Sequence, residues 1–230
     1  MAERAEKKEE RSVFREYAEA ILIAAIFLRF TNVFVVQTFY IPSGSMENTL
    51  LIGDHLFVNR FVYGPAASEW ERKLLPLRSV ERGDIVIFRS KRDKGLDLVK
   101  RAIGMPGDII EVKGGDLFLN GKDVVDESYV IHKRRGRPDD YLADPRRDWF
   151  GPATVPPNEY FFMGDNRDES LDSRFWSTLP SHLVKGRALF IYWSNGNQPP
   201  EDMNPVVGFL RTAAGFLTNT RWERSFRLIR

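Results

Sequence analysis

Two short segments hold side chains that could make and break bonds. The run IPSGSMENTL, Ile41 to Leu50, puts Ser43 and Ser45 on either side of Gly44, directly after a β-branched and aromatic stretch. Proline ends strand pairing there, and glycine lets the backbone turn sharply. A hydroxyl would project off the sheet, with nearby N–H groups free to face a carbonyl. A plain loop uses the same Ser-Gly-Ser pattern, so this segment does not decide the matter alone. The second run is LVKRAIGMPGD, Leu98 to Asp108. In a strand, Lys100 shares its face with Leu98 and Ala102, which would carry its ammonium into an apolar setting where the charged form is penalised. To accept a proton near neutrality it must titrate roughly 2–3 pH units below an ordinary lysine. A solvated surface lysine is the plainer alternative, and Arg101, on the opposite face, is expected to be such a solvated charge.

Several other chemistries are excluded. Cysteine is absent, which removes disulfides, zinc–thiolate sites and a thiol nucleophile. The only histidines are His55, His132 and His182, too few for a convincing metal cluster. Neither Gly-x-Ser-x-Gly nor Ser-x-x-Lys occurs, nor a Walker loop, a complete Gly-x-Gly-x-x-Gly or His-Glu-x-x-His. The acidic run Asp165–Asp172 invites a calcium reading. An EF-hand loop started at Asp168, however, would need Gly where Ser173 stands and Glu where Leu179 stands. No cofactor and no metal are therefore expected. The 34 basic and 32 acidic residues nearly cancel, so the charge balance asks for no nucleic-acid partner.

A third segment ties the first two together: GDNRDESLDSR, Gly164 to Arg174. With it the chain resembles the bacterial type I signal peptidases (leader peptidases), a serine peptidase family with a Ser-Lys dyad. The family's boxes SGSMxPTL, RGDIVIF, KRxxGxPGD and GDNRDxSxDSR are matched by Ser43–Leu50, Arg82–Phe88, Lys100–Asp108 and Gly164–Arg174. Including the preceding apolar helix, the resemblance spans about residues 13–195. It implies that Ser45 attacks the scissile carbonyl and that neutral Lys100 takes its proton. Ser43 hydroxyl and the Ser45 N–H would form the oxyanion hole, and Ser170 would orient the lysine. Asp172 and Arg174 would be a structural ion pair, and Met46 would pack beside the lysine and keep it dry. The substrates implied are preproteins leaving the export machinery, cut after small residues of the Ala-x-Ala type. One position departs from the family pattern: Asn48 stands where proline is usual, which questions the rigidity of the turn after the nucleophile.

The elements that must position these residues read as mainly β: an antiparallel catalytic core with an inserted second β domain, preceded by one N-terminal transmembrane helix. Strand candidates include HLFV before Asn59, DIVIF after Gly83, DIIEV, DLFLN, YFFMGD and ALFIYWS, and Asn120-Gly121 is a strong hairpin signal. The division expected is a cytoplasmic tail at 1–11, a transmembrane anchor at 12–30 and an extracytoplasmic peptidase domain at 31–230. A variable β extension occupies about 111–160 of that domain. The anchor ends near Phe30, with Arg29 reaching the interface, and Val33–Ile41 becomes the first strand. Arg4, Lys7, Lys8, Arg11 and Arg15 precede the span and no basic residue follows Arg29 until Arg60, so the amino terminus stays cytoplasmic. That places the protein in the bacterial inner membrane as a single-pass chain, with lipid and, transiently, the export machinery as partners. Residues 126–157 read as an exposed charged insertion, and Gly64–Val80 as a second protruding ribbon. Phe209, Leu210, Ala213, Phe216 and Leu217 share one helical face, for packing on the core or, with Arg221, Arg224, Arg227 and Arg230, for lying on a membrane. Two rival functions remain: a soluble self-cleaving repressor-type Ser-Lys peptidase, and an inactive membrane-tethered binding module on the same fold. No helix-turn-helix pattern supports the first, and retention of both Ser45 and Lys100 argues against the second.

Overall fold

Strand β3 (Ile85–Arg89) is apolar without alternation, IVIF, and all four of those residues are buried. A strand covered on both faces requires that pattern, and β3 lies inside an eight-stranded antiparallel sheet. The sheet is built from β1 (Val36–Tyr40), β2 (Asp54–Asn59), β3, β4 (Asp97–Gly104), β9 (Glu159–Met163), β10 (Leu179–Pro180), β11 (Val184–Ser194) and β12 (Arg227–Leu228). Its order is β1-β2-β11-β3-β4-β9-β10, and β12 pairs with β11. Four further strands, β5 (Ile109–Lys113), β6 (Asp116–Leu119), β7 (Lys122–Asp123) and β8 (Trp149–Thr154), form a second antiparallel sheet in the order β7-β6-β5-β8. The computed structural model describes residues 13–34, 36–64, 77–93, 95–124, 128–132, 145–196, 204, 207–208 and 213–229. The tail at 1–11, most of the ribbon at 64–80, much of the insertion at 126–157, and Phe209, Leu210 and Arg230 lie outside these residues.

Period-2 side-chain alternation explains how one chain supports several cores. Ile85 and Ile87 join Ile41, Met46, Leu50, Leu56 and Ile191 on one face of β3, while Val86 and Phe88 join Ala102, Phe162 and Leu179 on the other. In β9, Phe161 and Met163 turn instead to Ile110, Val112 and Leu117 of the second sheet. The two sheets are therefore joined through β9, directly before the Gly164–Arg174 loop. The Asn120-Gly121 pair closes the β6–β7 hairpin with φ of 53° and 75°, the left-handed pair that such a turn demands.

The amino-terminal helix α1 runs Val13–Phe34, past the expected end near Phe30, and β1 begins at Val36 rather than Val33. Extending an existing helix fixes one residue per new hydrogen bond, so the β preference of isolated residues at its end is readily overridden. No described helix is long and apolar enough to cross a membrane. Tyr17, Ile21, Leu22, Ile23, Ile26, Phe27 and Leu28 are nevertheless all exposed on α1, and Arg15 Nε donates to Glu19 Oε1 at 2.8 Å one turn on.

At the carboxy terminus, Arg221 and Arg224, which one of the two readings laid on a membrane, pair with the core. Arg224 is buried and donates to Asp54 Oδ2 at 2.6 Å, and Arg221 donates to Ser194 Oγ at 2.8 Å and to the Ile52 carbonyl at 2.7 Å. Asp54 is fully buried at the start of β2 and accepts from Ser194 Oγ as well. A buried carboxylate needs cationic partners, and the tail supplies them. Phe216, in the short helix Phe216–Asn219, stands against Trp193 and Trp222 and stays partly exposed.

Candidate active site

Ser45 sits in a single 3-10 turn, Gly44–Met46, between β1 and β2, and its side chain is buried. Ser43 precedes the turn in extended conformation and makes no capping hydrogen bond, leaving its exposed hydroxyl uncommitted. Met46 is buried in the Ile41, Leu50 and Leu56 cluster, which pins the turn from beneath. Lys100 rises from β4 opposite Val86 of β3, on the face that also carries Ala102 and Phe162. Its Nζ lies 2.5 Å from Ser45 Oγ, and it is 3% exposed. Burial lowers the Lys100 amine from 10.5 to about 8, against the upward pull of Asp172 and Asp165 and with help from the Arg174 charge. A buried amine that titrates close to neutrality, in hydrogen-bond reach of a serine hydroxyl, has the geometry of a base beside a nucleophile.

The Gly164–Arg174 loop closes over this pair. A Cβ on Gly164 would stand 2.4 Å from the Ser45 carbonyl oxygen and 2.3 Å from Ser170 Oγ, so only glycine permits the approach. Asn166 N–H donates to the Ser45 carbonyl at 3.2 Å, and its Nδ2 donates to the Gly44 carbonyl at the same distance. Asp172 and Arg174 form a buried two-pronged pair, Nε to Oδ1 and Nη2 to Oδ2, each at 2.9 Å. Burial pushes the Asp172 carboxyl up, but the Arg174 charge and hydrogen bonds, with the Gly164 N–H, outweigh it and hold the group below the usual carboxylate range. Arg174 also donates to the Arg167 carbonyl at 2.6 Å and so ties the loop across its width. Ser170 is brought to the site and is buried; its hydroxyl lies beside the Asp172 carboxylate, which it helps keep ionised, and it makes no hydrogen bond to Lys100.

Arg101 departs from the expectation of a solvated charge. It is 3% exposed, and its Nε and Nη2 meet Asp165 Oδ1 and Oδ2 at 2.8 Å each. Its Nη1 donates to the Gly83 carbonyl, and its guanidinium lies 3.8 Å from the Tyr129 ring centroid. The opposite face of a central strand is another core, not solvent, and an arginine there must be paired. Asp165 accepts from Thr49 Oγ1 at 2.5 Å, which links it to the turn after Ser45. Thr49, Arg101, Asp165 and Asn166 thus belong to the site although sequence reasoning assigned them no role in it. The available signal was their position inside the same matched boxes. Asn48 has φ of 86°, and its Nδ2 donates to the Ser128 carbonyl at 2.9 Å. Among the described residues no cluster of His, Asp and Glu could hold a metal ion.

Comparisons with known proteins point in one direction. A family model described as "Signal peptidase, peptidase S26" matches residues 14–193. The signal peptidase I of Pseudomonas aeruginosa is 30% identical over 90% of this chain and 81% of its own length. The signal peptidase I P of Bacillus subtilis subsp. natto is 37% identical over 73% of this chain and 82% of its own length. A crystal structure of a signal peptidase I from Enterococcus faecalis, 29% identical, covers 48% of this chain and 97% of its own, with a TM-score of 0.39.

Proposed function

The chain belongs to the signal peptidase family, peptidase S26, and we propose that within it Ser45 is the nucleophile and Lys100 the general base. The protein is a serine endopeptidase that removes signal peptides from preproteins. The observation that carries the assignment of roles is the 2.5 Å approach of Lys100 Nζ to Ser45 Oγ in a dry setting.

In the reacting form Lys100 is neutral and accepts the Ser45 proton as Oγ attacks the scissile carbonyl carbon. The carbonyl π-bond opens to a tetrahedral oxyanion, which Ser43 hydroxyl and the Ser45 N–H stabilise; each such donor is worth about 3–4 kcal/mol in serine peptidases. Lys100, now an ammonium, returns the proton to the leaving nitrogen, the C–N bond breaks, and the mature protein departs with a new amino terminus. The signal peptide remains as an ester on Ser45. Water then attacks that ester with Lys100 again taking a proton, and the proton passes back to Ser45 Oγ as the ester bond breaks. Ser170 completes the set: its hydroxyl, beside the Asp172 carboxylate, turns to orient the amine as the proton moves. Asp172 with Arg174 supports the loop that carries Ser170.

Small residues before the cut, of the Ala-x-Ala type, follow from the same reading, with β1 and the Ile85–Phe88 region as pocket walls. Helix α1 is the membrane anchor in this account. Its apolar side chains from Tyr17 to Leu28 are exposed, a continuous apolar surface that suits lipid, and the Arg15–Glu19 pair offsets two of its charges. The uncharged stretch Ala20–Leu28 is about 13 Å long at 1.5 Å per residue. Crossing a hydrocarbon core of about 30 Å therefore relies on flanking long side chains reaching the headgroups and on local thinning. The basic residues before it keep the amino terminus cytoplasmic and the catalytic region on the export side. Enzyme and signal peptide then share one bilayer, which raises their effective concentration. Incubation of the purified protein with a preprotein, with the cut site read by mass spectrometry, tests the whole reading. Release of the mature chain after a small residue is expected, and an intact preprotein would sink it.

A further inference from the structure

The segment Ser128–His132 lies in the insertion between the hairpin β6–β7 and β8, far in sequence from Ser45, yet it returns to the active site. Ile131 N–H donates to the Asp165 carbonyl at 2.8 Å, and Arg167 N–H donates to the Ile131 carbonyl at 3.0 Å. Ile131 and Asn166 make a parallel bridge, an isolated pairing in an otherwise antiparallel fold. From the other side, Asn166 holds the Gly44 and Ser45 carbonyls. Asp165–Arg167 is thus clamped between this strap and the nucleophile turn. Two side-chain contacts fix the strap in turn. Asn48 Nδ2 binds the Ser128 carbonyl, and the Tyr129 ring covers the Arg101 guanidinium, which is locked to Asp165. Asn48 adopts φ of 86°, a left-handed conformation that asparagine tolerates and proline cannot reach.

We propose that Tyr129, clasped in place through Asn48, is a positioning residue of the peptidase reaction: it keeps the Arg101–Asp165 pair closed and dry behind Lys100 and holds the loop against Ser45. The charged groups facing Lys100 are Asp165 from the start of the loop and Asp172 and Arg174 from its end. Arg101 lies on its own strand, and His132 of the strap faces Asp168 at 3.8 Å. Opening the strap would loosen Asp165 from Arg101 and leave the Asp165 charge less compensated. That charge acts on Lys100 through space and favours the ammonium, so the change moves the base upward.

This inference rests on the dyad reading above, and the test separates the two. The full-length chain in detergent, with Tyr129→Ala, Tyr129→Phe and Asn48→Gly, is assayed for kcat and KM across pH on a preprotein peptide, normalised to folded protein by near-UV circular dichroism. Tyr129→Phe, which keeps the ring, is expected to retain far more activity than Tyr129→Ala. Tyr129→Ala is expected to lower kcat about tenfold with KM little changed, as a small misplacement of reacting groups does, and to move the acid limb upward by about half a pH unit. Asn48→Gly keeps the backbone conformation and deletes the clasp, so it moves both quantities in the same direction by less. Wild-type kcat and an unmoved limb in folded Tyr129→Ala and Asn48→Gly would overturn the proposal. Absence of cleavage by the wild type itself would instead overturn the dyad reading.

Discussion

Lys100 and Arg101 are consecutive residues of β4, equally buried, and they point to opposite faces of the same sheet. Arg101 meets a carboxylate in a two-pronged pair, donates to a carbonyl and lies against an aromatic ring. Lys100 meets a serine hydroxyl, and the nearest carboxylates act on it only through space. The difference follows from what each side chain can give up. A guanidinium stays charged in any protein setting, so burying it requires full pairing. An ammonium can discard its proton, so burying it without an ion-pair partner produces a neutral amine, which is what a general base must be. One face of the strand is organised to hold a charge and the other to refuse one.

Five substitutions probe that contrast. The largest effect belongs to the dyad: Ser45→Ala and Lys100→Met should each lower kcat by about 10⁴-fold or more, measured as mature product per folded enzyme. Cleavage near wild-type rate by either would remove the distinction between the faces. Next in size, Arg101→Met or Asp165→Asn should destabilise the fold by about 3–5 kcal/mol, because each leaves a buried partner unpaired; urea unfolding of the full chain in detergent reads this. Lys100→Met should do the reverse. The amine titrates near 8 when folded and near 10.5 when unfolded, so the folded state resists protonation and loses stability as pH falls below about 10.5, with the full loss present below 8. At pH 7 that burden is about 3 kcal/mol. The methionine variant should gain most of it, less about 1 kcal/mol for the lost hydrogen bond to Ser45, and the gain should vanish by pH 10.5. Equal stability of wild type and Lys100→Met at pH 7 would contradict a desolvated lysine. Smallest is Arg101→Lys, which keeps the charge but not the two-pronged geometry and should cost about 1–2 kcal/mol with kcat largely kept.

The chain order of serine, lysine and loop, and the β-rich class, were legible because they depend on local patterns. Ser-Gly-Ser after a strand, an alternating strand around Lys100 and the long Gly164–Arg174 motif all carry their information within a dozen residues. What escaped is what depends on how layers stack. Alternation along β4 places Arg101 on the face away from Lys100, but only the tertiary fold decides whether that face meets water or a second core. Arg221 and Arg224 read as surface charges because the carboxylate they pair with, Asp54, is far away in sequence. The strap at 128–132 was hidden for a related reason: its charged neighbourhood reads as exposed insertion, and its hold on the loop is made mostly by backbone groups, which leave no trace in residue type. The end of α1 shows the converse, where a local β preference gave way to helix propagation.

The dependence of kcat/KM on pH, for the full-length wild-type enzyme and a preprotein peptide, tests the central claim most directly, since it counts the fraction of Lys100 that is neutral. The account predicts an acid limb with an apparent midpoint about 8, below which activity falls about tenfold per pH unit. Activity that stays flat from pH 8 down to about pH 5 would contradict a lysine base at this site.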